Sequence, residues 1–178
     1  MIYPSPNQDR RDLFAQLRIR HAQEKDLPAL EWEGEYTHFR QVYQNSYYRQ
    51  KQGKGLMWVV ELPGDNIIGQ VFIQFITNQR SLADGKNRAY LYSFRIKPIY
   101  RSLGIGAKLL QTVILDLRRR GFHQVTLNVA KDNPRAIQFY KQYGFRVTGE
   151  DPGDWSYPDH KGIWQEVHEP SWRMIKYF

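Results

Sequence analysis

A pair of glycines lies where a strand-like segment gives way to a helix-like one, and this junction carries the clearest chemistry in the chain. Residues 89–106 are AYLYSFRIKPIYRSLGIG, in which Gly104 and Gly106 open a run of helical apolar spacing. The first turn of a helix has backbone N–H groups without intrahelical partners, at the positive end of the helix dipole. Glycine lets the chain curl around an oxygen atom, and Arg101 adds a positive charge. The junction therefore predicts an anion site, with phosphate as its usual occupant.

Two common phosphate motifs are excluded by the same residues. A Walker loop needs Gly-Lys followed by Ser or Thr, and that sequence is missing. The dinucleotide fingerprint needs a third glycine where Leu109 stands. The pattern that remains is R-x-x-G-x-G, which runs from Arg101 to Gly106.

A second motif follows about 30 residues later in the chain. The pattern N-x-x-A-x-x-x-Y-x-x-x-G-F is formed by Asn133, Ala136, Tyr140, Gly144 and Phe145. Its Asn-Pro start is typical of a helix N-terminus. In this order the two motifs resemble those of the GNAT superfamily of acyl-CoA-dependent N-acyltransferases. The resemblance spans residues 17–177 and is sharpest between residues 89 and 146.

The resemblance implies an N-acetyltransferase with acetyl-CoA as acyl donor, no metal, and direct attack by a primary amine in a ternary complex. Backbone groups of Phe94, Arg95 and Ile96, on the fourth strand, would pair with the pantetheine arm. One backbone amide of this segment would polarise the thioester carbonyl. The diphosphate would be held by Arg101, Ser102, Leu103, Gly104, Ile105, Gly106 and Ala107. Asn133 would bind the pantetheine. Tyr140, whose ordinary pKa is ~10, would act as the catalytic acid that protonates the leaving sulfur.

The general base stays open, because the chain departs from a pattern common in the family. Several members place a glutamate on the fourth or fifth strand, yet no glutamate occurs between Glu61 and Glu150, and Asn128 holds the fifth-strand position. The candidates are a water chain, a histidine, a carboxylate of residues 150–169, or one of three N-terminal glutamates, Glu31, Glu33 and Glu35. The five histidines have no metal-ligand spacing, so each is expected to be structural or solvated.

Composition and charge restrict the class of protein further. Cysteine is absent, which excludes disulfides, thiolate metal sites and a cysteine nucleophile. The formal net charge of +8 is local: residues 86–146 hold 13 Lys and Arg against 2 Asp and Glu, whereas residues 1–85 hold 10 of each. This excess surrounds the two motifs, where a coenzyme with a diphosphate and a 3′-phosphate would need it, so no nucleic acid is required.

Two alternatives come from other classes of protein. One is a non-catalytic acyl-CoA-binding module, which the missing glutamate permits. The other, with less support, is an RNA-binding domain, suggested by the basic middle and the 12 tyrosines. The favoured interpretation is an enzyme whose partners are acetyl-CoA and an amine-bearing acceptor. We expect it to bind neither nucleic acid nor a membrane, and a homodimer is compatible with this interpretation. The chain has no run of ~18 apolar residues and no apolar core in residues 1–12, which predicts a cytoplasmic protein.

The elements that must position the motifs follow from periodicity. We expect one domain, residues 15–178, after an extension of residues 1–14 that docks loosely. The fold class is α/β (α+β), with a mixed, mostly antiparallel sheet of about 6–7 strands, strands four and five parallel at its centre, and flanking helices. Helical spacing predicts a core-facing stripe at Phe39, Val42, Tyr43 and Tyr47. Strands are predicted at 17–21, 56–62, 67–78, 90–96, 124–129, 145–148 and 172–176, helices at 104–120 and 133–143, and a long loop at 150–169.

Overall fold

A computed structural model describes residues 6–178 of the chain, with side chains from residue 9 onward. Its α-helices are α1 (Pro6–Gln16), α2 (Arg40–Lys51), α3 (Ile105–Arg119) and α4 (Pro134–Gln142), and 3₁₀ helices span Glu24–Glu31, Thr37–Phe39 and Pro98–Tyr100. The strands are β1 (Arg18–His21), β2 (Gly55–Leu62), β3 (Asn66–Gln74), β4 (Arg88–Ile96), β5 (Gln124–Ala130), β6 (Arg146–Asp151), β7 (Asp154–Pro158), β8 (Trp164–His168) and β9 (Ser171–Tyr177). Within this part of the chain, no helix has the length and apolar character needed to cross a membrane.

Seven of the strands that the structure describes form one mixed sheet, in the order β1-β2-β3-β4-β5-β9-β6. Neighbouring strands are antiparallel except β4 and β5, which are parallel because the chain crosses over through α3 between them. The predicted fold class, with its parallel central pair and flanking helices, is confirmed. The predicted antiparallel pairing of the last two sheet strands, β6 and β9, is also confirmed.

The sheet separates two hydrophobic clusters. On one face, α3 and α4 bury apolar side chains against the strands, and Leu109, Leu110 and Val113 are fully buried at helical spacing. On the other face, α2 and the first 3₁₀ helix cover the sheet, and Tyr43 packs edge-on against Phe72 at 5.8 Å between ring centroids. Each such large side chain stabilises the fold by ~1.5–3 kcal/mol through burial. The strands between the clusters are therefore held rigidly.

Strands β4 and β5 pair only at their first residues. The ladder joins Arg88 to Gln124 and Tyr90 to Thr126, and then it stops. Strand β4 nevertheless stays paired with β3 up to Ile96 on its other side. Past Tyr90, the backbone edge of β4 that faces β5 therefore has no ladder partner, although parallel strands normally pair along their whole length.

Strand β4 contains one extra residue, and the side chains that follow it lie on the opposite faces of the sheet from those that regular alternation would give. Ser93 has a φ of 50°, and the β3–β4 register shifts across it. Before this bulge, Leu91 packs on the α3 side and Tyr92 on the α2 side; after it, Phe94 packs on the α3 side and Arg95 on the α2 side. A bulge adds one unpaired residue and so inverts the alternation. Arg95 is thereby turned toward α2.

The segment predicted as a long loop, residues 150–169, was assigned wrongly, because it contains a β-hairpin. Strands β7 and β8 pair in their own two-stranded sheet, with Trp155 opposite Val167. The Asp159 carboxylate closes the turn by accepting hydrogen bonds from two following backbone N–H groups. The signal in the sequence was the alternation of Trp155 and Tyr157 with smaller polar residues, which is typical of a half-buried strand.

The N-terminal extension forms a helix that lies against the glycine loop. Of the extension predicted at residues 1–14, residues 1–5 lie outside the described part, and α1 occupies the rest and continues to Gln16. Leu13 and Phe14 pack against the core on the α3 side. Arg10 Nη2 comes within 2.6 Å of the position that a Cβ on Gly104 would take. The extension therefore adds a cation beside the loop.

Candidate active site

The glycine loop presents a row of unpaired backbone donors. Gly104 is the N-cap of α3 with a φ of 89°, so the left-handed conformation expected of this glycine is confirmed. No backbone N–H from Ser102 to Ala107 donates a hydrogen bond to another residue in the described range 6–178. These donors lie at the start of a helix of 15 residues, where the helix dipole is positive. The arrangement is a strong anion site.

Two arginines flank this loop from different elements. Arg101 folds back and donates through Nε to the Ile96 carbonyl at 2.9 Å, which ties the loop to the end of β4. Arg135, on the first turn of α4, donates to the Ser102 hydroxyl at 2.9 Å. Sequence reasoning did not assign Arg135 to the site, although its position two residues after Asn133 at a helix start was the available signal. Both charges favour an anion at the loop.

The predicted coenzyme residues surround one gap in the sheet. The C-terminal ends of β4 and β5 lie at the same sheet edge, since the strands are parallel, and each leads into a helix N-terminus. Phe94, Arg95 and Ile96 are on the β4 edge that has no partner in β5. Asn133 is the N-cap of α4, where its Oδ1 accepts the Ala136 N–H at 3.1 Å as expected of a cap. Its amide nitrogen donates to no residue in the described part of the chain.

Tyr140 lies beside this gap with an unpaired hydroxyl. The side chain is 8% exposed and packs against Phe94, Phe139 and Phe145, with centroid separations of 5.4 to 6.3 Å. Its hydroxyl bonds to none of residues 6–178, and it is not among the fully enclosed unpaired atoms. Burial, and then the neighbouring Tyr90, raises the pKa of Tyr140 well above its usual value. The phenol therefore stays protonated at neutral pH.

A second tyrosine of the site was missed by sequence reasoning. Tyr90 lines the cleft where β4 and β5 part, and its ring stacks in parallel on Tyr92 at 5.8 Å between centroids. Burial, followed by the charge of Asp151 and the proximity of Tyr92, raises the pKa of Tyr90 to about 12. The available signal was the i, i+2 spacing of these two tyrosines on a strand.

A cleft of about 640 Å³ opens on the α2 side of the split. Strands β4 and β5 contribute Ser93 and Asn128, and the hairpin contributes Trp155. Helix α2 contributes Val42, and the preceding turn contributes Phe39, so part of the aromatic stripe predicted to be core faces this space instead. Tyr43 of the same stripe is buried, as expected. A cleft of this size beside an open strand edge can hold a small molecule.

Three carboxylates line this cleft, and all come from the segment after β5: Asp151, Asp154 and Glu169. The N-terminal candidates for the base do not reach it. Glu31 is bound by Arg40, whose hydrogen bond lowers the pKa of the carboxyl, and Glu33 pairs with Lys97 at 3.3 Å. No histidine among the described residues lines the cleft. Of the side chains considered as bases, only those of residues 150–169 line the cleft.

Fold and site together define a class of protein: an α/β domain in which a helix start rich in unpaired backbone N–H groups lies where a parallel strand pair separates. The sequence matches the Acetyltransferase (GNAT) family over residues 18–145. The chain therefore belongs to that family, as the two motifs suggested.

Individual relatives are similar over part of their length. The chain is 35% identical over 91 residues to the probable N-acetyltransferase camello of Xenopus tropicalis, which covers 51% of this chain and 38% of that protein. It is 28% identical over 101 residues to N-alpha-acetyltransferase 50 of Danio rerio, covering 56% of this chain and 60% of the relative. The chain thus spans less than two thirds of the length of these relatives.

Solved structures show the same fold over nearly the whole chain. The ribosomal-protein-S18-alanine N-acetyltransferase from Escherichia coli superimposes with a TM-score of 0.67 and 21% identity, over 90% of this chain and 93% of that one. The spermidine/spermine N-acetyltransferase SpeG from Vibrio cholerae superimposes with a TM-score of 0.67 and 18% identity, over 93% and 94%. At such identities the likeness concerns the fold.

Proposed function

We propose that this chain transfers an acetyl group from acetyl-CoA to a primary amine, by direct attack in a ternary complex. The observation that carries this proposal is the coincidence of an unpaired β4 edge, an N–H-rich loop and a free phenol around one gap. Membership of the acetyltransferase family and the names of the relatives support the same activity. The cosubstrate, its binding residues and the mechanism are all part of the proposal.

The chain's own groups would bind acetyl-CoA along this gap. The backbone N–H groups of residues 102–107, with Arg101 and Arg135 beside them, fit a diphosphate in charge and in donor number. The free edge of residues 94–96 fits the amide-bearing pantetheine arm, which can pair as a strand would. The amide nitrogen of Asn133 is available to the same arm. A backbone N–H of β4 near the bulge would donate to the thioester carbonyl as that oxygen gains negative charge.

The reaction forms one bond and breaks one. The neutral amine nitrogen forms a C–N bond with the carbonyl carbon, the C–S bond breaks, and the sulfur leaves with the electron pair. Tyr140 would supply the proton to that sulfur, because its hydroxyl has no partner among residues 6–178 and its ring contacts Phe94 on the free edge of β4. The proton lost by the amine would pass through water to a cleft carboxylate of residues 150–169. The tyrosinate then regains its proton from solvent.

The expected result of a direct test is stabilisation by acetyl-CoA and release of free thiol. Ligand at a hundred times its dissociation constant stabilises the folded state by ~2.7 kcal/mol, which for a chain of this size raises the Tm by about 5 °C or more. NAD and ATP should give no such shift. A thiol-trapping assay over a panel of amines measures turnover.

The two readouts separate the competing functions. Thermal protection without thiol release for any amine would indicate the non-catalytic acyl-CoA-binding module. Protection by NADH and none by coenzyme A would mean that the loop binds a different ligand class.

We expect kcat to stay level or rise from pH 8 to 10 at saturating substrates. An acid loses activity as it deprotonates, so an unshifted tyrosine with a pKa of ~10 would halve kcat at pH 10. Because burial raises the pKa of Tyr140, the donor form persists through this range. The measurement is a pH profile of kcat with the amine kept saturating. A fall with an apparent pKa at or below 10 would contradict the shifted acid.

A further inference from the structure

The side chains that line the proposed acceptor cleft leave an excess of positive charge once the ion pairs of each one are taken into account. Asp151 pairs with Arg173, and both side chains are largely buried. Asp154 pairs with His168 at the outer end of the hairpin, where both side chains are about two thirds exposed to solvent. Glu169 is exposed. The negative charges are therefore either neutralised by a neighbour or screened by water at the rim.

The positive side chains of the cleft have no such compensation. Arg95 and Arg49 both line it and are half-buried. Neither forms an ion pair with a carboxylate in residues 6–178. Removing a charge from water is costly unless a partner compensates for it. Two unpaired guanidinium groups in one cleft indicate an anionic group in the ligand.

Arg95 is also held in place before any ligand arrives. Its guanidinium carbon lies 4.3 Å from the ring centre of Tyr36 and 5.0 Å from that of Phe39, within cation–π range. Its Nη1 donates to the Tyr43 hydroxyl at 3.0 Å. Burial raises the pKa of Tyr43, so this acceptor is a neutral phenol that leaves the arginine charge intact. A guanidinium fixed in this way keeps donors free and is suited to bidentate recognition of a carboxylate.

The other wall of the cleft is aromatic. Phe39, Trp155 and Tyr157 form a contiguous group, with centroid separations of 4.9 to 6.1 Å. Trp155 is 44% exposed although it is a large apolar residue, so this surface is available to a ligand. Such a wall favours an acceptor with an apolar or aromatic body.

We propose that the acceptor is an amino acid with an apolar side chain, whose carboxylate is bound by Arg95 and whose side chain lies against Phe39, Trp155 and Tyr157. This inference rests on the proposed acetyl transfer to an amine. A polyamine would place a second cation near the unpaired arginines, where like charges repel, so the cleft discriminates against it.

The test compares acceptors that differ only in the carboxylate. Thiol release is measured for L-phenylalanine against 2-phenylethylamine, for L-leucine against 3-methylbutylamine, and for spermidine. The expected kcat/KM is at least tenfold higher for each amino acid than for its decarboxylated partner, and lowest for spermidine. Equal values within a pair, or preference for spermidine, would overturn the proposal.

Arg95→Gln provides the second arm of the test. The variant should reduce the preference for the carboxylate at least tenfold, measured as the ratio of kcat/KM within each pair, and Arg95→Lys should restore part of it. Arg119→Gln is the matched control, because Arg119 is exposed at the far end of α3 and should leave the ratio unchanged. A ratio that does not change in Arg95→Gln would remove Arg95 from the assignment.

A binding measurement keeps failure of the activity distinct from failure of this inference. The affinity of the protein–coenzyme A complex for each amino acid and for its decarboxylated partner is measured by calorimetric titration, which does not depend on turnover. Binding of the amino acids, with at least tenfold weaker binding of their decarboxylated partners, supports the acceptor class even if no thiol is released. Absence of amino acid binding at millimolar concentration would overturn it.

Discussion

Replacing Gly104 with valine is expected to weaken acetyl-CoA binding at least a hundredfold and to lower the stability of the protein by only ~1–2 kcal/mol. The φ of 89° opposes a β-branched residue, so the loop must change its backbone path to admit one. Hydrogen bonds from N–H groups to a charged group contribute ~1.5–3 kcal/mol each, and misplacing two of them accounts for the loss of affinity. Calorimetry gives the affinity, and thermal or urea unfolding gives the stability.

Gly121→Val is the matched control for this experiment. Gly121 follows the other end of α3 with a φ of 88°, and nothing lies within 4 Å of its added Cβ. It therefore imposes the same backbone strain without touching the loop. Its stability should fall by a similar amount while acetyl-CoA affinity stays within twofold. If Gly104→Val folds and binds the coenzyme as the wild type does, the phosphate assignment is wrong.

Replacing Tyr140 with phenylalanine is expected to lower kcat at least tenfold at neutral pH, with acetyl-CoA affinity within a few-fold. Loss of a general acid typically costs ~10²–10⁴ in rate, but a thiolate, whose parent thiol has a pKa of ~8.5, leaves tolerably well without one. The ring and its contacts with Phe94 and Phe145 are retained, so stability should change by ~1 kcal/mol or less. Steady-state kinetics and calorimetry measure both quantities.

Tyr143→Phe makes the same change on the neighbouring side chain, whose ring packs on Phe139 at 5.0 Å. It should leave kcat within twofold. Wild-type turnover by Tyr140→Phe, with chemistry shown to be rate-limiting, would assign Tyr140 to the core and the proton to water.

Local patterns were sufficient to predict most of the fold and the backbone conformation around the two motifs. The left-handed Gly104 and the Asn133 cap are fixed by residues within a few positions of each other, so sequence alone reveals them. The same holds for α3, whose apolar spacing is regular, and for the crossover that makes β4 and β5 parallel. The roles given to Tyr140 and the loop residues remain predictions.

The cleft on the α2 side could not be predicted, because residues distant in the sequence form it. Arg95 meets Tyr36 only because an extra residue at Ser93 inverts the strand, and alternation in a sequence does not reveal a bulge. The pairing of Asp151 with Arg173 joins two strands that are not consecutive in the chain. Such contacts depend on register, which the local pattern leaves open.

The bulge in β4 makes the pairing register of this strand as important as the identity of its residues. If the bulge were lost while Ser93 remained, every residue of β4 would alternate regularly, and Arg95 and Lys97 would turn toward the apolar cluster under α3. Each unpaired ion buried there costs several kcal/mol, against a total stability of ~5–15 kcal/mol for a typical domain. Side chains of the cleft can therefore change one by one to suit a new acceptor, but the bulge must be kept for as long as charged residues follow it at positions 95 and 97.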